Sequence, residues 1–293
     1  MPLVLPTPLV STDWLAAHGT HPEVRVIDAS TYLPSAGRDA YEEYDAAHIP
    51  GAVFADVDML SDEQAKYPHT LPAPDVLAAR LGARGIGSRH AIVVYDGSGQ
   101  NFSAARVWWM LKTLGHERVA VLDGGFPRWQ REGRPVTHDF PVHEPATFTP
   151  VLDKARWRDL RAMKANVESH AEQVVDARSP GRFHGQEPEP RPGVRGGHIP
   201  GARNVHYATV VGTDGTLRPV LELRRHFTEA GVDLQQPIVA SCGSGLTACA
   251  VLLALDVAGA KQTALYDGSW TEWGSQRDTP VASVAVDHPI SGA

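Results

Sequence analysis

Cysteine is scarce in this chain: Cys242 and Cys249 are the two among 293 residues. That is too few for a disulfide framework, so a reducing compartment, the cytoplasm, is expected. No run of basic residues occurs either. Lys and Arg number 27 against 34 Asp and Glu, and a net charge of −7 argues against a nucleic-acid footprint. No uninterrupted apolar stretch approaches membrane-spanning length, so no membrane partner is expected. The opening Met1-Pro2-Leu3-Val4-Leu5-Pro6 has no basic n-region and no long apolar core, so it does not read as a secretory signal or a transit peptide. Ligand-spaced Cys/His clusters are missing, so no metal is expected, and no organic cofactor is required. What is present is ordinary globular material: 42% hydrophobic and 21% charged residues, with length enough for two domains.

The same landmarks occur twice in the same order. Val24–Ala29 matches Gln173–Arg178, and His48-Ile49-Pro50-Gly51-Ala52 recurs as His198-Ile199-Pro200-Gly201-Ala202. Leu122-Asp123-Gly124 returns as Tyr266-Asp267-Gly268, each followed by a tryptophan (Trp129, Trp273) and a Pro-Val. A repeat this long means duplicated domains rather than a solenoid, here 1–140 and 151–293, with the proline-bearing 133–150 as linker. Within each half, short continuous apolar runs alternate with helical patterns. They predict strands at 24–29, 52–55, 91–95 and 119–122, then 174–177, 202–205, 238–241 and 264–266. Helices are predicted at 74–81, 104–114 and 127–132, then 155–168, 221–230, 247–258 and 269–275. Buried strands separated by helices predict an α/β fold, each domain a mainly parallel sheet covered on both faces.

One stretch stands out. Ile238-Val239-Ala240-Ser241 is a buried strand ending at Cys242, followed by Gly243-Ser244-Gly245 and a helix rich in alanine and leucine. Loop amides and a helix N-terminus there would stabilise a thiolate, and the two glycines permit the backbone such a cradle needs. Cys242 is therefore the candidate nucleophile, while Cys249, mid-helix among apolar residues, reads as core. Aligning the halves puts Asp96 opposite Cys242. An aspartate cannot do thiol chemistry, so only the C-terminal copy is expected to be catalytic.

These features, with Val107-Trp108-Trp109-Met110, Gly181-Arg182-Phe183, Glu187-Pro188-Glu189-Pro190-Arg191 and Cys242–Ala248, resemble the tandem-domain rhodanese family, in its 3-mercaptopyruvate sulfurtransferase branch. The resemblance implies two rhodanese-like domains with a catalytic cysteine only in the second. It implies that Arg182 and Arg191 bind the substrate, with Gly243, Gly245, Leu246 and Thr247 of the loop. Leu246 stands where the family pattern usually has valine. The resemblance further suggests a proton relay of Ser244 with His48 and Asp39. His-Ile-Pro-Gly occurs in both halves, so a shared turn-holding role competes for His48 and is favoured for His198. Asp28 and Asp176 read as turn residues, and Trp108 and Trp109 as core or interface filling.

The activity so implied is sulfur transfer from 3-mercaptopyruvate to a thiol acceptor such as thioredoxin, or to cyanide, through a Cys242 persulfide with release of pyruvate. Guanidinium forks suit a 2-oxo acid. Gly243 and Ser244 are neutral where a thiosulfate-using rhodanese carries cations, and no arginine closes the loop as in a cysteine phosphatase. Thiosulfate sulfurtransferase is the alternative within the enzyme class, and a non-enzymatic persulfide carrier is the alternative outside it.

Overall fold

The computed structural model of the chain describes residues 3–283. Residues 1–2 and 284–293, the outermost parts of the two expected domains and of the N-terminal reading, lie outside the described residues. The first domain runs β1 (Leu9–Val10), α1 (Thr12–His18), β2 (Val24–Asp28), α2 (Ala40–Ala46), β3 (Ala52–Phe54), α3 (Val57–Leu60), α4 (Pro74–Ala83), β4 (Ala91–Tyr95), α5 (Phe102–Thr113), β5 (Val119–Leu122) and α6 (Gly125–Arg131). The second runs β6 (Trp157–Arg158), α7 (Leu160–Ser169), β7 (Gln173–Asp176), α8 (Pro180–His184), β8 (Arg203–Asn204), α9 (Val220–Glu229), β9 (Ile238–Ser241), α10 (Ala248–Ala258), β10 (Thr263–Tyr266) and α11 (Ser269–Ser275).

Both sheets have five strands among the described residues, all parallel, in the orders β1-β5-β4-β2-β3 and β6-β10-β9-β7-β8. Strand for strand these are one topology, as the repeat requires. The repeated landmarks also do the same work. The Trp129 indole donates to the Pro135 carbonyl at 2.7 Å, and Trp273 to Pro280 at 2.9 Å. His48 exchanges backbone hydrogen bonds with Thr137, and His198 with Ala282, so each His-Ile-Pro-Gly pins the chain that leaves its domain.

Two-residue strands such as β1 and β6 are too short to show a periodic pattern, and the sequence reading lacks them. The helix expected from 155 starts later. A short 3-10 turn and β6 come first, and Asp159 then caps α7 by accepting from the Ala162 amide at 2.8 Å. The stretch 133–150 has no helix or strand, yet it is no free linker. Ala146 N–H bonds Gly82 O at 2.9 Å, Ser88 N–H bonds Thr147 O at 3.1 Å, and Asp153 N–H bonds Thr113 O at 2.8 Å. The first domain therefore holds the chain past the expected boundary at 140.

α5 and α10 pack against each other across the domain interface, and one apolar cluster, including Trp108, Leu111, Cys249 and Leu253, runs through both domains. Truncating a leucine there to alanine costs about 2–5 kcal/mol. That joint brings the carboxyl ends of β4 and β9 toward the interface, where ligands bind in such sheets.

Candidate active site

β9 delivers Cys242 to the start of the loop, and α11 holds it there. Trp270 N–H donates to Cys242 O at 2.9 Å, the Cys242 amide donates to Ser269 Oγ at 3.2 Å, and Thr271 Oγ1 donates to Gly243 O at 2.6 Å. Gly245 has φ +75°, and a Cβ there would meet Asp267 O at 2.9 Å and Arg106 Nη1 at 3.1 Å, so glycine is required on both counts. Among the described residues, the amides of 243–247 donate to no protein acceptor. The first domain shows what such a cradle holds. There the Asp96 carboxylate accepts from the amides of Ser98 (2.9 Å), Ser103 (3.1 Å) and Ala104 (2.9 Å) and from the hydroxyls of Ser98 and Ser103. The N-terminal copy fills its anion site with its own side chain, whereas the C-terminal copy presents a thiol there.

The partner of Ser244 comes from the other domain. Its hydroxyl lies 2.9 Å from His69 Nδ1, and His69 Nε2 faces Asp58 Oδ1 at 3.5 Å. A carboxylate opposite Nε2 keeps the proton on that nitrogen, so Nδ1 accepts from Ser244. The His69 pKa is lowered from the usual imidazole range to about 4, chiefly by burial. Asp58 opposes this, while the positive charges of Arg106 and Arg191 add to it. His69 is thus a neutral base at pH 7.

The expected relay therefore needs correcting. His48 is fully buried, its Nδ1 on Tyr44 O at 2.7 Å, its Nε2 on Asp139 O at 3.2 Å, and its ring stacked on Tyr44. Asp39 caps α2, accepting from the Glu42 amide at 2.9 Å. Neither meets Ser244. Their positions go to His69 and Asp58, which the sequence reading missed. A signal was there: Thr70-Leu71 repeats as Thr216-Leu217 in the register that aligns Asp96 with Cys242, with His69 opposite Gly215.

Arg182 sits on the short helix α8, and no helix or strand covers the proline-bearing residues 187–192 that follow. Its guanidinium bonds Glu189 at 2.6 Å, and a Cβ on Gly243 would meet its Nη2 at 3.1 Å. Glu189, with a 4% exposed side chain, also pairs with Arg178, which Asp176 holds in turn. Arg191 reaches Thr271 Oγ1 at 3.4 Å and lines a cleft of about 550 Å³ with Asp58, Tyr67, His69 and Thr271. Gly243 and Thr247 are partly exposed, but the Leu246 side chain is buried in the apolar cluster, so only its backbone can serve a ligand. Cys242 is 1% exposed. Tyr207 lies within electrostatic reach of Cys242 and Arg182, and burial first, then the thiol, raises its pKa. Cys249 is core, as expected, and burial pushes its thiol up to about 12. A groove of about 600 Å³ near Arg224 and Gly259 lies at the opposite end of the sheet, and its lining holds no cysteine or histidine. No described helix is long and apolar enough to cross a membrane.

A cysteine in an amide cradle, a neutral hydroxyl–imidazole–carboxylate chain and two arginines are suited to moving a sulfur atom and one proton. The family model described as "Rhodanese-like domain" matches residues 11–132 and 159–276. The chain is 43% identical over 270 residues to the human 3-mercaptopyruvate sulfurtransferase, covering 90% of this chain and 91% of that protein. It is 41% identical over 298 residues to a mitochondrial thiosulfate/3-mercaptopyruvate sulfurtransferase of Arabidopsis thaliana, covering 94% and 78%. A crystal structure of a 3-mercaptopyruvate sulfotransferase from Escherichia coli superposes with a TM-score of 0.82 at 37% identity, covering 90% of this chain and 99% of that one.

Proposed function

The chain belongs to the rhodanese family, and from that premise we propose that it is a sulfurtransferase taking sulfur from 3-mercaptopyruvate onto Cys242 and handing it to a thiol. The observation that carries this is the Ser244–His69 contact, 2.9 Å, two residues beyond the nucleophile. A dianionic inorganic donor calls for cations at that place, whereas a 2-oxo acid that must collect a proton calls for a relay.

The Cys242 thiolate attacks the sulfur of the substrate, the C–S bond breaks, and its electron pair leaves as the enolate of pyruvate. The proton of the substrate thiol, acidic once it sits on the outer persulfide sulfur, passes by way of Ser244 and His69 to the enolate carbon. Amides of the loop receive the charge of the persulfide that Asp96 mimics in the other domain. Arg182 and Arg191 supply the forks for carboxylate and keto oxygens. An acceptor thiolate then takes the outer sulfur, the S–S bond breaks, and Cys242 regains its electron pair. We assign the acceptor to the class of small thiols and thioredoxin-like proteins, and the compartment to a reducing cytoplasm, because both cysteines are unpaired and buried.

The test compares pyruvate release from 3-mercaptopyruvate with thiocyanate formation from thiosulfate and cyanide, in wild type and Cys242→Ser. Mercaptopyruvate is expected to be the better donor, and the variant to lose both activities. A wide margin for thiosulfate overturns the donor assignment. Turnover by the serine variant overturns the persulfide, and absence of turnover with either donor favours a carrier.

A further inference from the structure

We propose that Arg106, a residue of the inactive first domain, is a positioning residue for the relay: its guanidinium grips the His69 carbonyl and the Gly245 carbonyl together and so sets His69 against Ser244. The inference rests on the relay reading given above and adds the residue on which that relay depends.

Arg106 lies on α5, fully buried at the domain interface. Nη2 donates to His69 O and, at 2.7 Å, to Asp267 Oδ1, while Nη1 donates to Gly245 O at 3.3 Å. The guanidinium stacks over the Trp109 ring at 4.6 Å, which fixes its plane. Asp267 completes the grip by accepting the Leu71 amide at 2.8 Å on its other oxygen. One charged pair therefore ties the strap 69–71 to the loop that follows Cys242.

The backbone of His69 needs that grip. Its φ is +60°, a region where non-glycine residues persist only when their surroundings over-determine them. The duplicated copy is a built-in control. There the second domain reaches back over the Asp96 loop with Gly215, φ +82°, and Leu217 N–H bonds Asp123 at 2.8 Å just as Leu71 bonds Asp267. The tip is a glycine with no relay to offer, and among the described residues its carbonyl accepts from the Asn101 side-chain amide alone, at 3.1 Å. The charged fork occurs where the tip residue is a histidine with a task. The positive charge of Arg106 also helps keep His69 unprotonated.

A double-mutant cycle tests this: wild type, R106K, H69N and R106K/H69N, each read by single-turnover pyruvate release, KM for mercaptopyruvate and the pH profile. Lysine keeps the charge but cannot span both carbonyls. R106K is expected to slow sulfur loading about 10- to 100-fold, with KM within roughly threefold of wild type. It is expected to add nothing to the loss in H69N. In R106M, the acid limb of the rate profile should move to higher pH. Wild-type loading by R106K, or losses that multiply in the double variant, overturns the grip. An H69N enzyme at wild-type rate sinks the relay itself, whereas a slow H69N beside an intact R106K sinks only the role of Arg106. Should R106K fail to fold, D267N keeps an acceptor for Leu71, removes the charge partner and reads the same cycle, with the same outcomes deciding.

Discussion

Two histidines of the first domain show how differently one side chain is used. His48 spends both ring nitrogens on backbone carbonyls and its face on Tyr44, so it holds the turn that closes its domain. His69 is one of the few non-glycine residues at positive φ, and its ring faces the other domain. His69→Asn is expected to lower kcat on mercaptopyruvate by about 10²–10⁴ with little change in melting temperature. His48→Asn should do the reverse, losing roughly 1–3 kcal/mol of stability with turnover nearly intact. Melting curves and steady-state rates on both variants check this, and a crossed result would return the relay to His48. The sequence pointed to His48 because the repeat makes His-Ile-Pro-Gly conspicuous. His69 lies 175 residues from Ser244, and no local pattern spans that separation.

At the scale of elements, the ends of β2 and β7 differ in a way that pH reveals. Asp176 at the end of β7 is paired with Arg178, whereas Asp28 at the end of β2 has Ser30 in the corresponding place. Burial raises the Asp28 pKa from 3.8 to about 6, against the hydrogen bonds from Ser30 and Tyr95. Between those two values the folded state holds a proton that the unfolded chain has released. Stability from this group therefore falls as pH rises from about 4 to 6 and is level above. Asp28→Asn keeps an oxygen for the Ser30 amide and removes the titration. Its stability relative to wild type, from urea midpoints at pH 4, 5 and 7, should climb through that window, and a constant difference would refute the assignment. The strand and helix around Cys242 were legible residue by residue because continuous apolar runs and a glycine-rich turn leave few alternatives. The two-residue strands β1 and β6 exist through their pairing with β5 and β10 and have no local signature.

The whole molecule is two copies of one domain that reach into each other. The strap 69–71 crosses to the Cys242 loop, and the turn 215–217 crosses to the Asp96 loop. The first crossing is the one that brings an imidazole to the hydroxyl of Ser244. Asp123→Ala, which frees Leu217, is therefore expected to lower the melting temperature by a few degrees, about 2–4 °C per kcal/mol lost, while single-turnover sulfur loading stays within about twofold. A loading defect as large as that of R106K would show that both crossings serve the site. The sequence by itself determined the duplication and the parallel α/β architecture, and it singled out Cys242 as the candidate nucleophile with Asp96 in its place in the first copy, because each follows from local pattern or from comparing the two halves. Only the tertiary structure decided which histidine serves Ser244 and which arginine holds it. Those contacts arise where one domain docks on the other, and no periodicity along the chain encodes which residues meet across an interface.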